Sequence, residues 1–349
     1  MHTKERLEKT MTSQLHTIGH KDFFNKQFFF IFSSNIIRYC NYKCSYCWDG
    51  YNSKDKMDYI PWEVLSKVQT KIVEHCKKNN IDTLDLAYSG GEPLWHPEIL
   101  KIIKGASEYE IDAHISITTN LSRKLDFLKQ MVNVIKENNI KLTISTTLHK
   151  EFVNTDKKFN DYINKLKFLK ESNISVSVNL VMTKEMFWEQ AKQSEDIRKL
   201  GIPIVLKHIR DNNDTMVDNL YDDDMIRYMK EAHVDQNKPS IIWIDEEGNK
   251  HELVDQLRTV VHNIRNYYKF YCNSGYTSVS MDFDGTMFRG YACYDVHKLG
   301  NAYNNDWQLL DDCMPCEYNG NCLPTDIVSV KSKDKIYNNV LRKFGGKHK

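Results

Sequence analysis

Between residues 28 and 210 the chain alternates short runs of β-type residues with longer stretches of helical periodicity. The pattern predicts strands that begin near Phe28, Asp82, Ala113, Lys141, Ile174 and Ile202. After a longer first interval they recur about every 30 residues, the length of one βα unit. Between them run helical patterns such as Phe159, Ile163, Leu166 and Leu169, apolar at i, i+4, i+7 and i+10. Strand–helix alternation forces parallel pairing through right-handed crossovers. Six such units predict an α/β fold, a partial (βα)6 TIM-like barrel.

The strand faces carry a second signal. Ile174, Val176, Val178 and Leu180 alternate with Ser175, Ser177 and Asn179. Ile115 and Ile117 alternate with Ser116, Thr118 and Asn120, and Leu142 and Ile144 with Thr143, Ser145 and Thr147. Leu84 and Leu86 alternate with Asp85 and Ala87. Successive side chains of a strand point to opposite faces, so apolar faces packed on helices leave the polar faces inside the barrel. A closed barrel fills its lumen with branched aliphatic residues. A hydrophilic lumen instead suits an open cavity for a polar ligand. The competing reading is a sheet half exposed to water.

Composition narrows the class. Lys+Arg 48 against Asp+Glu 47 gives no polyelectrolyte character, so nucleic acid is not an expected partner. The first apolar run, from Phe28 to Phe32, is too short for a signal peptide core, and nothing approaches the ~18 apolar residues of a membrane span. With nine cysteines in metal-type spacings and no export signal, the expected location is cytoplasmic, away from membranes. The expected organisation is an extension over 1–27, the barrel over 28–210 and a connector over 211–265. A small Cys-rich α+β domain over 266–325 and a C-terminal helix with a basic tail over 326–349 complete it. In the connector, Asp222, Asp223 and Asp224 read as a solvated helix start, and Glu247-Gly248-Asn249 as a hairpin turn. Cys76, alone in a helical pattern, reads as a small buried hydrophobe.

The chemistry concentrates just after the first strand, where Cys40, Cys44 and Cys47 form C-x3-C-x2-C with Tyr46 before the third thiol. Ligand sites in such folds lie at the carboxyl ends of parallel strands. Three thiolates on one loop can hold three irons of a [4Fe–4S] cube and leave the fourth iron open. A zinc site completed by a distant ligand is the other reading. At the end of the second strand stands Ser89-Gly90-Gly91-Glu92-Pro93. Alone it reads as a strand-to-helix turn whose glycines allow a close backbone approach. Together the two motifs resemble the radical S-adenosylmethionine superfamily. The resemblance implies that the open iron is chelated by the amino and carboxylate groups of S-adenosylmethionine. It implies that Gly90, Gly91, Glu92 and Pro93 grip the methionyl ammonium, and that Asn120, Ser145 and Asn179 make further cofactor contacts. On their own residues, these last three simply line the lumen.

A second cysteine set comprises Cys272, Cys293, Cys313, Cys316 and Cys322. Between the first two, Asp284-Gly285 separates alternating apolar residues, a hairpin signal. The set resembles the auxiliary-cluster module called SPASM or, when shorter, twitch. Two fully ligated cubes need eight thiolates and five are present, so one auxiliary cluster, [4Fe–4S], is expected on Cys272, Cys293, Cys313 and Cys316. Cys322 replaces one of these or stays free, and a zinc ribbon is the alternative.

The resemblance implies an oxidoreductase or maturase. It would generate a 5′-deoxyadenosyl radical, abstract a substrate hydrogen atom and pass the electron to the auxiliary cluster. Its electron donor would be a flavodoxin or ferredoxin. A peptide or protein side chain is the favoured substrate, although the residues before the first strand are too few for a leader-binding domain. A sugar- or polyol-type dehydrogenase or epimerase is the alternative within the class, and a non-catalytic zinc or electron-transfer protein lies outside it. His149, Lys207, His208, Arg210 and Asp211 are expected at the barrel mouth.

Overall fold

The computed structural model describes residues 29–47, 53–209, 220–232, 241–244, 250–253, 271–272, 274–290, 293, 297–311 and 314–315. The chain forms two compact units. One contains Ser34–Ser66 and Leu86–Gln236; the other contains the described residues up to Ser33, Lys67–Asp85, and those from 241 onward. Three of the divisions fall inside β1 (Phe29–Ile37), α1 (Trp62–Lys78) and β2 (Thr83–Gly90).

The first unit is the strand–helix alternation read from the sequence. After the carboxyl halves of β1 and β2 come α2 (Ile99–Gly105), β3 (Asp112–Thr119), α3 (Leu125–Glu137) and β4 (Lys141–Leu148). Then follow α4 (Asp156–Glu171), β5 (Ser175–Val181), α5 (Phe187–Lys199), β6 (Ile204–Lys207) and α6 (Asp223–Ala232). The strands lie in the order β1-β2-β3-β4-β5-β6, and β3 to β6 pair in parallel. This is the α/β arrangement of a partial (βα)6 barrel. Asn139 and Asn173, at φ 50° and 63°, end α3 and α4 in the left-handed conformation that asparagine tolerates best after glycine.

The alternation of faces holds at most positions, although Asn120, Thr143 and Ser177 on the polar side are buried as well. Ile115, Ile117, Ile144, Leu148, Val178 and Leu180 are buried, whereas Ser116, Ser145, Thr147 and Asn179 are half-buried and Thr118 is exposed. The register sets Thr118 beside Ser145 and Thr147 beside Asn179, so one face carries a continuous hydroxyl and amide surface. The stripe of α4 is turned slightly from the predicted one. Leu166 and Leu169 are buried as expected, but Tyr162 and Lys165 join them while Phe159 and Ile163 stay half-buried. Polar contacts explain the rotation: the Tyr162 hydroxyl bonds Thr146 Oγ1, and Lys165 Nζ pairs with Asp161 at 2.6 Å and donates to Leu121 O at 3.3 Å. Asp222 receives the Met225 N–H at 2.8 Å, so the acidic cluster is a helix start.

In the second unit, β10 (Ser278–Met281), β11 (Thr286–Phe288) and β12 (Lys298–Asn301) form an antiparallel meander. Its first turn is Asp284-Gly285, with Gly285 at φ 79°. The amide of Ile31, in the first half of β1, joins Thr277 O at 3.0 Å. Strands β7 (Ile241–Ile244) and β8 (Lys250–Leu253) pair antiparallel on either side of Glu247-Gly248-Asn249, while that turn lies outside the described residues. β9 (Tyr271–Cys272) pairs with β13 (Met314–Pro315), setting Cys272 opposite Met314. Cys76 is fully buried in α1. Among the described residues no helix is long and apolar enough to cross a membrane. The extension, the C-terminal helix and tail, most of the connector, Arg210, Asp211, Cys313, Cys316 and Cys322 lie outside the described residues.

Candidate functional site

The Cys40–Cys47 loop leaves β1 and is fastened to the turns that follow three other strands. The first fastening is the Gly90-Gly91-Glu92 turn after β2. Gly91 N donates to Ile37 O at 2.7 Å, and Glu92 N to Tyr39 O at 2.8 Å. A Cβ on Gly91 would lie 2.3 Å from Tyr39 O, and one on Gly90, at φ 124°, would lie 2.2 Å from Ile37 O. The close approach these glycines permit is therefore of backbone to backbone. Pro93 opens a short 3-10 turn and is buried.

Glu92 is fully buried, and its carboxylate is occupied within the protein. It accepts Leu94 N at 3.1 Å and Asn120 N at 2.6 Å, and bonds the Thr119 hydroxyl. Burial pushes its pKa up to about 7, although these donors and nearby Arg123 pull the other way.

The second fastening comes from the end of β3. Asn120 Nδ2 donates to Asn41 Oδ1 at 3.1 Å and lies 3.8 Å from Cys40 Sγ. Ser122 Oγ also donates to Asn41 Oδ1 at 3.0 Å, and receives Trp95 Nε1 at 3.1 Å. Lys56 and Arg123 sit over the Trp95 ring at 5.1 and 4.6 Å from its centroid.

The third fastening is the loop after β4. His149 Nδ1 lies 3.2 Å from Cys44 Sγ and 3.0 Å from the Tyr46 hydroxyl. Glu151 accepts the Ser45 N–H at 2.9 Å and the Ser45 hydroxyl. Tyr42 stacks on Phe152 with ring centroids 4.2 Å apart and planes 5° from parallel. His149, expected at the barrel mouth, thus belongs to the cysteine loop. Glu151, Phe152, Asn41 and Ser122 carry no motif of their own; their one signal is position, on the motif loop or directly after a strand's carboxyl end. Ser145 and Asn179 meet on the polar strand face, Asn179 Nδ2 donating to Ser145 Oγ at 2.8 Å. Lys207 is half-buried and His208 buried at the end of β6.

Residues 34–197 match the model of the Radical SAM superfamily. Over these residues the chain is similar to the core of radical SAM enzymes. GTP 3′,8-cyclase of Campylobacter jejuni (strain RM1221) is 32% identical over 111 residues, covering 31% of this chain and 33% of the relative. The same protein of Campylobacter jejuni subsp. doylei is 33% identical over 116 residues, with the same shares. In these matches the chain spans about a third of the relatives' length. Among solved structures, anSMEcpe with bound AdoMet and the Kp18Cys peptide shares the fold at a TM-score of 0.52 and 16% identity. That match covers 78% of this chain and 77% of the other.

A radical SAM core implies a [4Fe–4S] cluster and S-adenosylmethionine, and the residues present fit the cluster. Burial pushes Cys40 up to about 11 and Cys44 up to about 12, and neighbouring thiolates add to both shifts. Three thiolates so close in a half-buried loop are costly without cations to neutralise them. Among the described residues no three His, Cys, Asp or Glu side chains converge to hold a single metal ion. In the second unit Cys293 is buried, and Cys272 is placed by its backbone alone, opposite the residue that follows Cys313 in sequence.

Proposed function

We propose that this chain is a radical SAM oxidoreductase or maturase that removes a hydrogen atom from an unactivated C–H bond, with a peptide or protein side chain as substrate. The observation that carries the reading is the fastening of the Cys40–Cys47 loop to the turns after β2, β3 and β4. When bound, the cluster and S-adenosylmethionine supply reductive cleavage of the sulfonium and a 5′-deoxyadenosyl radical.

The protein's part is placement. Glu92 and Asn120 hold the Gly90-Gly91 backbone and the cysteine loop in one register, and the turn of Gly90, Gly91, Glu92 and Pro93 would meet the methionyl ammonium through backbone carbonyls other than those of Glu92 and Pro93, which the 3-10 turn uses. Ser145 and Asn179 offer a hydroxyl and an amide to the ribose and carboxylate. A single auxiliary cluster on Cys272, Cys293, Cys313 and Cys316 would take up the substrate's electron, with Cys322 in reserve. The opposition of Cys272 to Met314 favours this grouping, because Met314 lies between Cys313 and Cys316 in sequence. The reducing electron would come from a flavodoxin or ferredoxin.

The peptide preference draws support from the fold shared with anSMEcpe, a protein solved with a peptide bound. A small-molecule substrate is the second reading, favoured by the sequence match to GTP 3′,8-cyclase.

Anaerobic purification with iron and sulfide counts, then dithionite-driven cleavage of S-adenosylmethionine, tests the proposal. The expected result is 5′-deoxyadenosine from the wild type and none from Cys44→Ala. Cleavage that survives in Cys44→Ala, or zinc as the sole metal, would overturn it.

A further inference from the structure

The three thiols of the motif are not dressed alike. Cys40 Sγ receives the Tyr42 N–H at 3.4 Å and has the Asn120 amide at 3.8 Å. Cys44 Sγ instead meets two ring-borne groups, His149 Nδ1 at 3.2 Å and the Tyr46 hydroxyl. Those two groups also touch each other at 3.0 Å, closing a triangle of sulfur, nitrogen and oxygen.

A thiolate has lone pairs and no proton, so in the Nδ1–H tautomer of His149 both Tyr46 O–H and His149 Nδ1–H can donate to the sulfur, the 3.0 Å N–O edge then being a contact without a proton of its own. Packing holds the rings in place for this. Tyr46 lies 17° from parallel to His149 with centroids 5.9 Å apart, and Tyr42 meets the imidazole edge-on at 6.0 Å. Tyr42 is itself stacked on Phe152, and Glu151 ties down the Ser45 amide between the two residues of the triangle. All of this comes from four consecutive residues, His149 to Phe152, folded over Tyr42 to Tyr46.

We propose that His149 and Tyr46 are positioning residues that raise the reduction potential of the cluster on Cys40, Cys44 and Cys47 by donating hydrogen bonds to the Cys44 thiolate. The inference rests on the radical SAM reading. Reduction adds negative charge to the cluster, and donors aimed at a ligating sulfur favour the more negative form. A charge-assisted hydrogen bond in a half-buried site is stronger than a neutral one, so the effect is large enough to read.

The test is an anaerobic redox titration of reconstituted protein, followed by the paramagnetic signal that is missing in Cys44→Ala. His149→Phe keeps a ring against Tyr46 and removes the donor; Tyr46→Phe removes only the hydroxyl. Each is expected to move the midpoint to more negative values. For His149→Phe the expected change is about tenfold in the oxidised-to-reduced ratio at fixed potential, about 59 mV for one electron. His149→Asn, which carries a side-chain N–H near the place of Nδ1, should recover part of the shift. Unchanged midpoints with wild-type iron and sulfide would overturn the inference and leave the radical SAM reading intact. Loss of the cluster from all three variants would overturn it too, by assigning the pair to assembly. Absence of the cluster from the wild type would instead defeat the underlying reading.

Discussion

The Glu92 carboxylate accepts the backbone N–H of Asn120 at 2.6 Å, joining the turn after β2 to the end of β3. Asn120 in turn reaches the cysteine loop through Asn41. One buried side chain therefore sets the spacing of two strand ends and, through them, the seat of the loop. Glu92→Ala would leave the Leu94 and Asn120 amides buried without this acceptor. At about 1–3 kcal/mol for each orphaned donor, the expected loss for the two is about 2–6 kcal/mol in urea unfolding. A loss under 1 kcal/mol would mean that water or a rearranged turn replaces the carboxylate.

The same group gives stability a pH dependence. Its folded pKa stands at about 7, above the ordinary 4.5. Between those values the folded state keeps a proton that the unfolded chain releases. The neutral carboxyl's contribution is thus complete below 4.5 and is lost as pH rises through 7. The full effect is about 3 kcal/mol. Other groups titrate in this range, so the readout is the stability difference between wild type and Glu92→Gln from pH 5 to 8. That difference should move against the wild type up to about pH 7 and then level off. A flat difference would place the carboxyl in its ordinary range.

Strand positions and strand faces were legible because they are local. A period of two fixes which side chains share a face, and Ile144 is buried and Ser145 only half-buried as the alternation requires. The start of each barrel strand lies within two residues of its expected place. The rotation of α4 was not legible, since it depends on Thr146 across the helix–sheet gap. The site divides in the same way. Cys40, Cys44, Cys47 and the Gly90-Gly91 turn stand out by spacing. The inward use of Glu92 and the grip of His149 and Glu151 depend on contacts spanning 27 to 106 residues of chain, which no spacing rule encodes.

Gly91 tests whether the turn after β2 seats the cysteine loop. An alanine Cβ there would fall 2.3 Å from Tyr39 O and 2.5 Å from Arg38 O, both backbone atoms. The two chain segments must separate, and the Tyr39 carbonyl adjoins Cys40. Gly91→Ala should cost at least about 1–3 kcal/mol, as overpacking does, and lower the iron retained. Gly201→Ala is the control: it is also strained, at φ 65°, but meets only the flexible Lys170 Nζ at 3.0 Å. It should lower stability without changing iron content. Equal iron in both variants would separate the turn from the seating of the loop.

Ser145 and Asn179 distinguish a working lumen from a merely polar one. They are half-buried on the open strand face, and their mutual hydrogen bond of 2.8 Å leaves further donor and acceptor capacity on both. If they hold S-adenosylmethionine, Ser145→Ala and Asn179→Ala each remove a hydrogen bond to the ligand. The expected cost is about 1–2 kcal/mol, or roughly 5–30-fold in affinity by equilibrium dialysis against the cluster-loaded protein. Stability should change by under about 0.5 kcal/mol, because neither group is sealed from water. If the pair serves only the sheet, the order reverses: affinity stays constant while the unfolding midpoint falls. Because the two residues sit on neighbouring strands, the double variant adds a further check. A shared ligand contact makes its effect less than the sum of the singles, whereas independent lumen positions would add.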